Sequence, residues 1–268
     1  MPPTTSGQYR FTTDAVVAQP SIRKVDLDDI RYSLSQGLDD FLAIPTQLIF
    51  LCIIFPVVGL AAGRAASGSD LLPLLYPLVA GISLLGPVLA VGIYELSRRR
   101  EAGLPVVWYN VFDVWKSPAI ISIIGMAFML LVIFVAWVGV AKGIYAMTIG
   151  AGGATSVGLF AEHMLDTAAG WHMMIYGNLA GLFFAMLVLA LTVVSVPMLL
   201  DRNVSVGVAI RTSVQAVLAN PVTMAVWGVT VAVILLLGCL PIFVGLAVAM
   251  PVLGHATWHL YRRMVVSS

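Results

Sequence analysis

Residues 221–261 read PVTMAVWGVTVAVILLLGCLPIFVGLAVAMPVLGHATWHLY, 41 residues without a single Lys, Arg, Asp or Glu. As one helix rising 1.5 Å per residue they would form a rod of about 60 Å, twice the ~30 Å of hydrocarbon in a bilayer. The segment should therefore double back on itself. Gly238-Cys239-Leu240-Pro241 stands at its middle, and proline cannot continue a helix without losing a backbone hydrogen bond. Two short spans are expected, at about 222–238 and 241–261.

Four more uncharged runs of spanning length lie upstream, at 41–63, 71–94, 118–141 and 173–200, which makes six spans in all. The whole composition agrees with them. The 268 residues are 60% hydrophobic and 10% charged, with a mean hydropathy of +1.00, where a soluble domain carries about a quarter charged residues. A water-soluble enzyme, a disordered chain and a disulfide-stapled secreted module are excluded. A net charge of +1 also argues against a nucleic-acid partner. Cys52 and Cys239 sit in apolar runs and read as small core residues. The first apolar run begins too far into the chain for a secretory signal, so the first span is expected to be retained.

Cytoplasmic loops collect Lys and Arg, and this tests the count independently. With six spans and the amino terminus inside, Arg10, Arg23, Lys24 and Arg31 fall in the tail. Arg98, Arg99, Arg100 and Lys116 fall in the second connection, Arg202 and Arg211 in the fourth, and Arg262 and Arg263 at the end. Only Arg64 and Lys142 are left outside. Both termini are thus expected in the cytoplasm. The expected organisation is a cytoplasmic flexible tail at 1–24 and one membrane domain at 25–265.

Prolines suggest that the spans come in pairs. Pro45, Pro118 and Pro221 open a span, and Pro87, Pro197 and Pro251 lie on the returning one. Pro87-Val88-Leu89 precedes Arg98-Arg99 at the same spacing as Pro251-Val252-Leu253 precedes Arg262-Arg263. The fold class expected is all-α, a polytopic membrane bundle of about six transmembrane helices in three helical hairpins, at about 41–97, 118–202 and 221–263. Leu27, Ile30, Leu34, Leu38 and Phe41 recur at helical spacing, as do Val206, Ile210, Val214 and Val217. These segments are expected to be interfacial amphipathic helices with their apolar stripe in lipid. Trp108, Tyr109, Phe112 and Trp115 form an aromatic belt of the kind found at membrane surfaces.

The run Gly254-His255-Ala256-Thr257-Trp258-His259 joins Ser195-Val196-Pro197 through Asp201-Arg202, Leu218-Ala219-Asn220-Pro221 and Gly86-Pro87 through Tyr94-Glu95-Leu96. Together they resemble the bacterial integral-membrane family designated DUF2189, over roughly residues 23 to 265. The resemblance implies a multi-pass protein of the bacterial inner membrane and supplies no mechanism. Some members of such families are labelled cytochrome oxidase subunits. A catalytic oxidase subunit needs more spans and more histidines than the four present, since it holds two haems and a copper by their axial ligands. An accessory or assembly role beside a respiratory complex is compatible with the count.

Three groups of residues are candidates for chemistry. His255 and His259 are four apart on one helix face, as metal-binding pairs are. By the hairpin repeat, Glu95 matches His259 and Asp201 matches His255, so the four could converge on a divalent metal, a proton or a haem. The alternative is plain anchoring, with Glu95 paired to Arg98 or Arg99. His163, His172 and Met164 in the connection at 143–170 offer imidazole and thioether, which suit copper, or else the wet face of a short helix. Gly177, Asn178 and Gly181 form a small-residue face for helix packing, with the amide bonding across it.

No nucleophile paired with a base, no phosphate loop and no charge at mid-membrane is present in the sequence. The expected function is a non-enzymatic accessory, scaffold or assembly protein without a resident cofactor, in contact with lipid and with a membrane complex or its own copies. The alternatives are a carrier or channel for a small neutral or amphiphilic solute, and a metal- or haem-binding protein using the His pair.

Overall fold

A computed structural model describes residues 21–44, 84, 86–150, 162, 164–241 and 244–266. Most of the first two expected spans, with Pro45, lie outside these residues. Among the described residues three stretches are long and apolar enough to cross a membrane. They are α4 (Ile120–Thr148), the pair α5 (Ala168–Thr192) and α6 (Ser195–Asp201), and α8 (Pro221–Cys239). Only 22% of the most apolar stretch of α4, and of α8, is buried against protein. Phe128 on α4, Phe183 on α5, and Val229 and Leu236 on α8 stand exposed. Outward-facing apolar side chains at that density are stable in hydrocarbon, where the backbone must meanwhile satisfy its own hydrogen bonds, as a helix does.

The α5–α6 break follows from Pro197. Proline offers no N–H to the carbonyl four residues back, and the helix is interrupted at Val193 and Val194. The freed Val194 N–H donates instead to Ser213 Oγ, 3.2 Å away on α7 (Val206–Ala219). Helix α7 confirms the amphipathic pattern but corrects its direction. Val217 is buried, Val206 and Ile210 are half-buried against the core, and Ala209 and Ala216 are fully enclosed. Small residues let the neighbouring helices close over a stripe that was expected to face lipid.

The chain doubles back after α8. Helix α9 (Leu246–Met264) returns so tightly that the α-carbon and carbonyl of Gly238 lie 2.8 Å from where a Cβ on Gly245 would sit. At the other end, Val25 N–H donates to Asn220 Oδ1 at 2.8 Å and Arg23 N–H to the Met264 carbonyl at 2.8 Å. The start of α8 and the end of α9 therefore flank one short segment. Ser21 and Ile22, expected in the tail, form β1 and pair antiparallel with β2 (Val265–Val266), Ser21 opposite Val266.

Helix α1 (Leu27–Ala43) starts at a capping box, with Asp26 accepting from the Asp28 and Asp29 amides and Asp29 from the Asp26 amide. Its buried face runs Asp29, Ser33, Gly37 and Asp40, flanked by Ile30. Of the stripe expected to face lipid, Leu27 and Leu38 are exposed, but Ile30 is buried and Leu34 packs against the core. The polar and small side faces protein because α9 lies there. A Cβ on Gly37 would fall 2.6 Å from the Ala256 nitrogen and 2.7 Å from the Val252 carbonyl. Helix α2 (Gly86–Leu89) leads through Ala90 into α3 (Val91–Glu101), which packs on another side of α9, where Gly254 meets Ile93. Enclosed this way, α9 buries Trp258, Leu260, Tyr261 and His255 completely.

Candidate functional site

The functional side chains gather where α9 meets α1 and α3. Asp40, in the last turn of α1, is the centre. Its Oδ2 accepts from Ser97 Oγ at 2.6 Å and from His259 Nε2 at 2.9 Å, and its Oδ1 accepts from Arg100 Nη1 at 2.8 Å. Burial works against the Asp40 charge, but the His259 and Ser97 hydrogen bonds outweigh it and hold the carboxyl below its usual range. Ser97 Oγ and His255 Nδ1 are 2.7 Å apart. With the single Ser97 hydrogen given to Asp40, that contact needs the imidazole hydrogen on Nδ1, which makes Nε2 an acceptor. Nε2 of His255 is fully buried and has no hydrogen-bond partner among the described residues.

Around this centre the outer half of α9 is tied to carboxylates from three helices. Glu101 accepts from Trp258 Nε1 and from Arg262 Nε, each at 2.9 Å. Asp201 accepts from Tyr261 Oη at 2.6 Å and from Arg262 Nη1 at 3.1 Å. Asp29 Oδ1 accepts from Arg23 Nη2 at 2.6 Å and Arg263 Nε at 2.7 Å. Burial opposes the Asp29 charge, and the Asp26 amide and the Arg23 guanidinium more than offset it, so this carboxyl too lies low. The Gly254–His259 run thus has an internal partner at nearly every polar position.

His255 and His259 therefore share one network, through Ser97 and Asp40. Glu95 does not join it. Arg98 grips both Glu95 oxygens with a fork at 2.7 and 2.8 Å, the pairing that the i, i+3 spacing offers. Asp201 faces Tyr261 and Arg262 instead of an imidazole. Glu95 and Asp201 both line a cavity of about 790 Å³ on the other side of α3. Among the described residues no three or more His, Cys, Asp or Glu come together as a metal site requires. The arginines explain this, since each carboxylate is neutralised where it stands.

The second group is only partly visible. His163 lies outside the described residues. Met164 is buried, and His172 stacks on Tyr176 with ring centroids 6.0 Å apart, beside a cavity of about 460 Å³ walled by Ile144 and Met147. Of the packing face, Gly181 meets the Trp137 ring at 3.5 Å while Gly177 faces open space. Asn178 Nδ2 bonds the Met174 carbonyl of its own helix and is exposed, so the amide does not reach across to a neighbour. Trp108, Tyr109, Phe112 and Trp115 project from a 3-10 helix (Trp108–Lys116), with Trp115 70% exposed.

Ser97 and Asp40 are the site residues that sequence reasoning missed. The one available signal was the stripe Asp29, Ser33, Gly37 and Asp40 at steps of four, four and three. That stripe is the buried face of α1.

Comparison with known proteins bears out the family resemblance over the middle of the stretch expected, without the Gly254–His259 run. Residues 75–201 match the profile of the DUF2189 family, described as a predicted integral membrane protein. The matched stretch holds α2 to α6 and stops short of α9. No curated protein and no solved structure matches the chain.

Proposed function

We propose that this integral membrane protein is a non-enzymatic scaffold, an accessory or assembly partner of a larger complex in the bacterial inner membrane. In this reading three helical hairpins cross the bilayer and both ends of the chain lie in the cytosol. One observation supports it above the rest: the distinctive polar side chains of α9 are bonded to α1, α3 and α6, while α4 and α8 turn most of their apolar surface outward. The interior is engaged in holding the fold, and the surface that remains is lateral. Respiratory oxidases are the first complexes to examine. The test is gentle-detergent isolation of the tagged full chain with quantitative mass spectrometry, beside blue-native gels of membranes lacking it. Subunits of one complex at constant ratio, and loss of that complex on deletion, are the expected result. A chain that isolates alone and whose deletion leaves every membrane complex intact would overturn the reading.

A second reading is favoured by the bare Nε2 of His255. An imidazole whose Nδ1–H is fixed by a hydrogen-bonded second group presents Nε2 in the way a metal or haem ligand does. Elemental analysis and a visible spectrum of the purified protein decide it, with neither stoichiometric metal nor haem absorbance as the outcome against.

A further inference from the structure

The 790 Å³ cavity lies apart from the His255 network, between α3, the 3-10 helix, the entry to α4 and the end of α6. Four cations line it, Arg98, Arg99, Lys116 and Arg202, against three carboxylates, Glu95, Asp113 and Asp201. The local balance is one positive charge. Its donors are already oriented. Arg98 gives Nε and Nη2 to Glu95, while Arg99 gives Nη1 to Asp113 at 3.1 Å and Nε to the Pro105 carbonyl. A guanidinium carries five N–H hydrogens, so each fork is anchored by two and keeps others for the cavity, among the described residues. Pre-oriented planar donors of this kind suit phosphate oxygens.

The cavity is amphiphilic and sits at a definite depth. Leu199, Leu200 and Pro118 form part of its wall. Tyr109 both lines it and belongs to the exposed aromatic row of the 3-10 helix, and Trp and Tyr rings settle at the headgroup layer of a membrane. Its rim also includes the residues that lead directly into α4, where the chain enters hydrocarbon.

The geometry points to a binding site for the phosphodiester headgroup of an anionic phospholipid taken from the surrounding leaflet. A phosphodiester monoanion matches the single excess positive charge. A zwitterionic headgroup would bring an ammonium among four cations. A soluble phosphate ester shares the anion chemistry but has no acyl chain to lie along the apolar wall and the aromatic row. The site does not depend on the scaffold reading, and its test reads lipid binding, not partner recovery.

The experiment is native mass spectrometry of the full chain in detergent, titrated with phosphatidylglycerol or phosphatidylcholine of matched acyl chains. Phosphatidylglycerol should bind more tightly by about fivefold or more, the scale of one charge near a membrane surface. Lys116→Glu alters the local charge by two, at a side chain 82% exposed, and should weaken phosphatidylglycerol by roughly twenty-five-fold with unchanged helical circular dichroism. Arg202→Gln on the opposite wall should weaken it about fivefold, and it decides the matter if Lys116→Glu fails to fold. Arg31→Gln, in an exposed ion pair elsewhere, should leave binding as it is. Equal affinity for the two lipids, or cavity variants that bind like the wild type, would overturn the site. Displacement of phosphatidylglycerol by an equal concentration of glycerol 3-phosphate would overturn the lipid as its source.

Discussion

Gly37 of α1 and Ala256 of α9 are in backbone contact: a methyl group on Gly37 would sit 2.6 Å from the Ala256 nitrogen and 2.8 Å from its Cβ. The obstruction is helix backbone, which cannot swing aside as a long side chain can. Gly37→Ala should therefore separate the two helices and stretch the hydrogen bond from His259 to Asp40. A loss of about 3 kcal/mol is expected, read as a lowered thermal midpoint in detergent, with Ser35→Ala on the exposed face as a neutral control.

Acid should weaken the same junction. Asp40 and Asp29 are both held below the ordinary carboxylate value of 3.8 in the folded protein. A group depressed on folding contributes its stability in full above its unfolded value, and that contribution is lost as the pH falls through the lower, folded one. The unfolding free energy should thus decline below about pH 4. In Asp40→Asn the acid-dependent loss should be smaller, with stability at neutral pH reduced by about 1 to 3 kcal/mol because Ser97 and His259 lose a charged acceptor. Denaturant titrations across pH in detergent check both.

Ser97→Ala tests the link between the histidines. It removes the one bridge between His255 and Asp40 among the described residues other than their 3.7 Å approach, leaving a second buried nitrogen of His255 unbonded. A cost of about 1 to 3 kcal/mol is expected. Ser97→Cys, nearly isosteric but a weak donor, should fall between. If the second reading holds instead, the visible spectrum of Ser97→Ala will shift from that of the wild type.

Ser213→Ala isolates the break at Pro197. The variant leaves the Val194 N–H buried without an acceptor, at a cost of about 2 kcal/mol. Unfolding of Ser213→Ala and Ser213→Thr should separate, the threonine hydroxyl restoring much of the loss.

Sidedness is open to labelling. In a chain with Cys52 and Cys239 replaced by alanine, Lys142→Cys should react with a membrane-impermeant thiol reagent added to intact cells. Arg31→Cys should react only after permeabilisation. The reverse pattern would invert the orientation proposed for all six spans.

The spans α4, α5 and α8 were legible because hydrophobic length is a property of contiguous residues, and the reversal near Gly238 because a 41-residue run exceeds what a bilayer accommodates. Glu95 and Arg98 were legible for a like reason, being neighbours on one helical face. Asp40 and His259 are 219 positions apart, and such a contact leaves no trace in local periodicity. The inward face of α1 was misleading on the same ground. A polar stripe reads as wet unless its distant partner is known, and here the partner is the last helix of the described chain. The convergence of Glu95 and Asp201 with the imidazoles was inferred from matching prolines. The alternative weighed beside it, Glu95 held by Arg98, is the arrangement found, and Arg262 likewise holds Asp201.

The two-residue ribbon of Ser21–Ile22 with Val265–Val266 has a bearing on biosynthesis. Helix α1 leaves the ribosome well before α9, since Asp40 and its partner His259 are 219 positions apart. Until then Asp29, Ser33 and Asp40 must wait without the cover of α9. Truncation before Val265 would strand α1 and leave the newborn chain without its clasp.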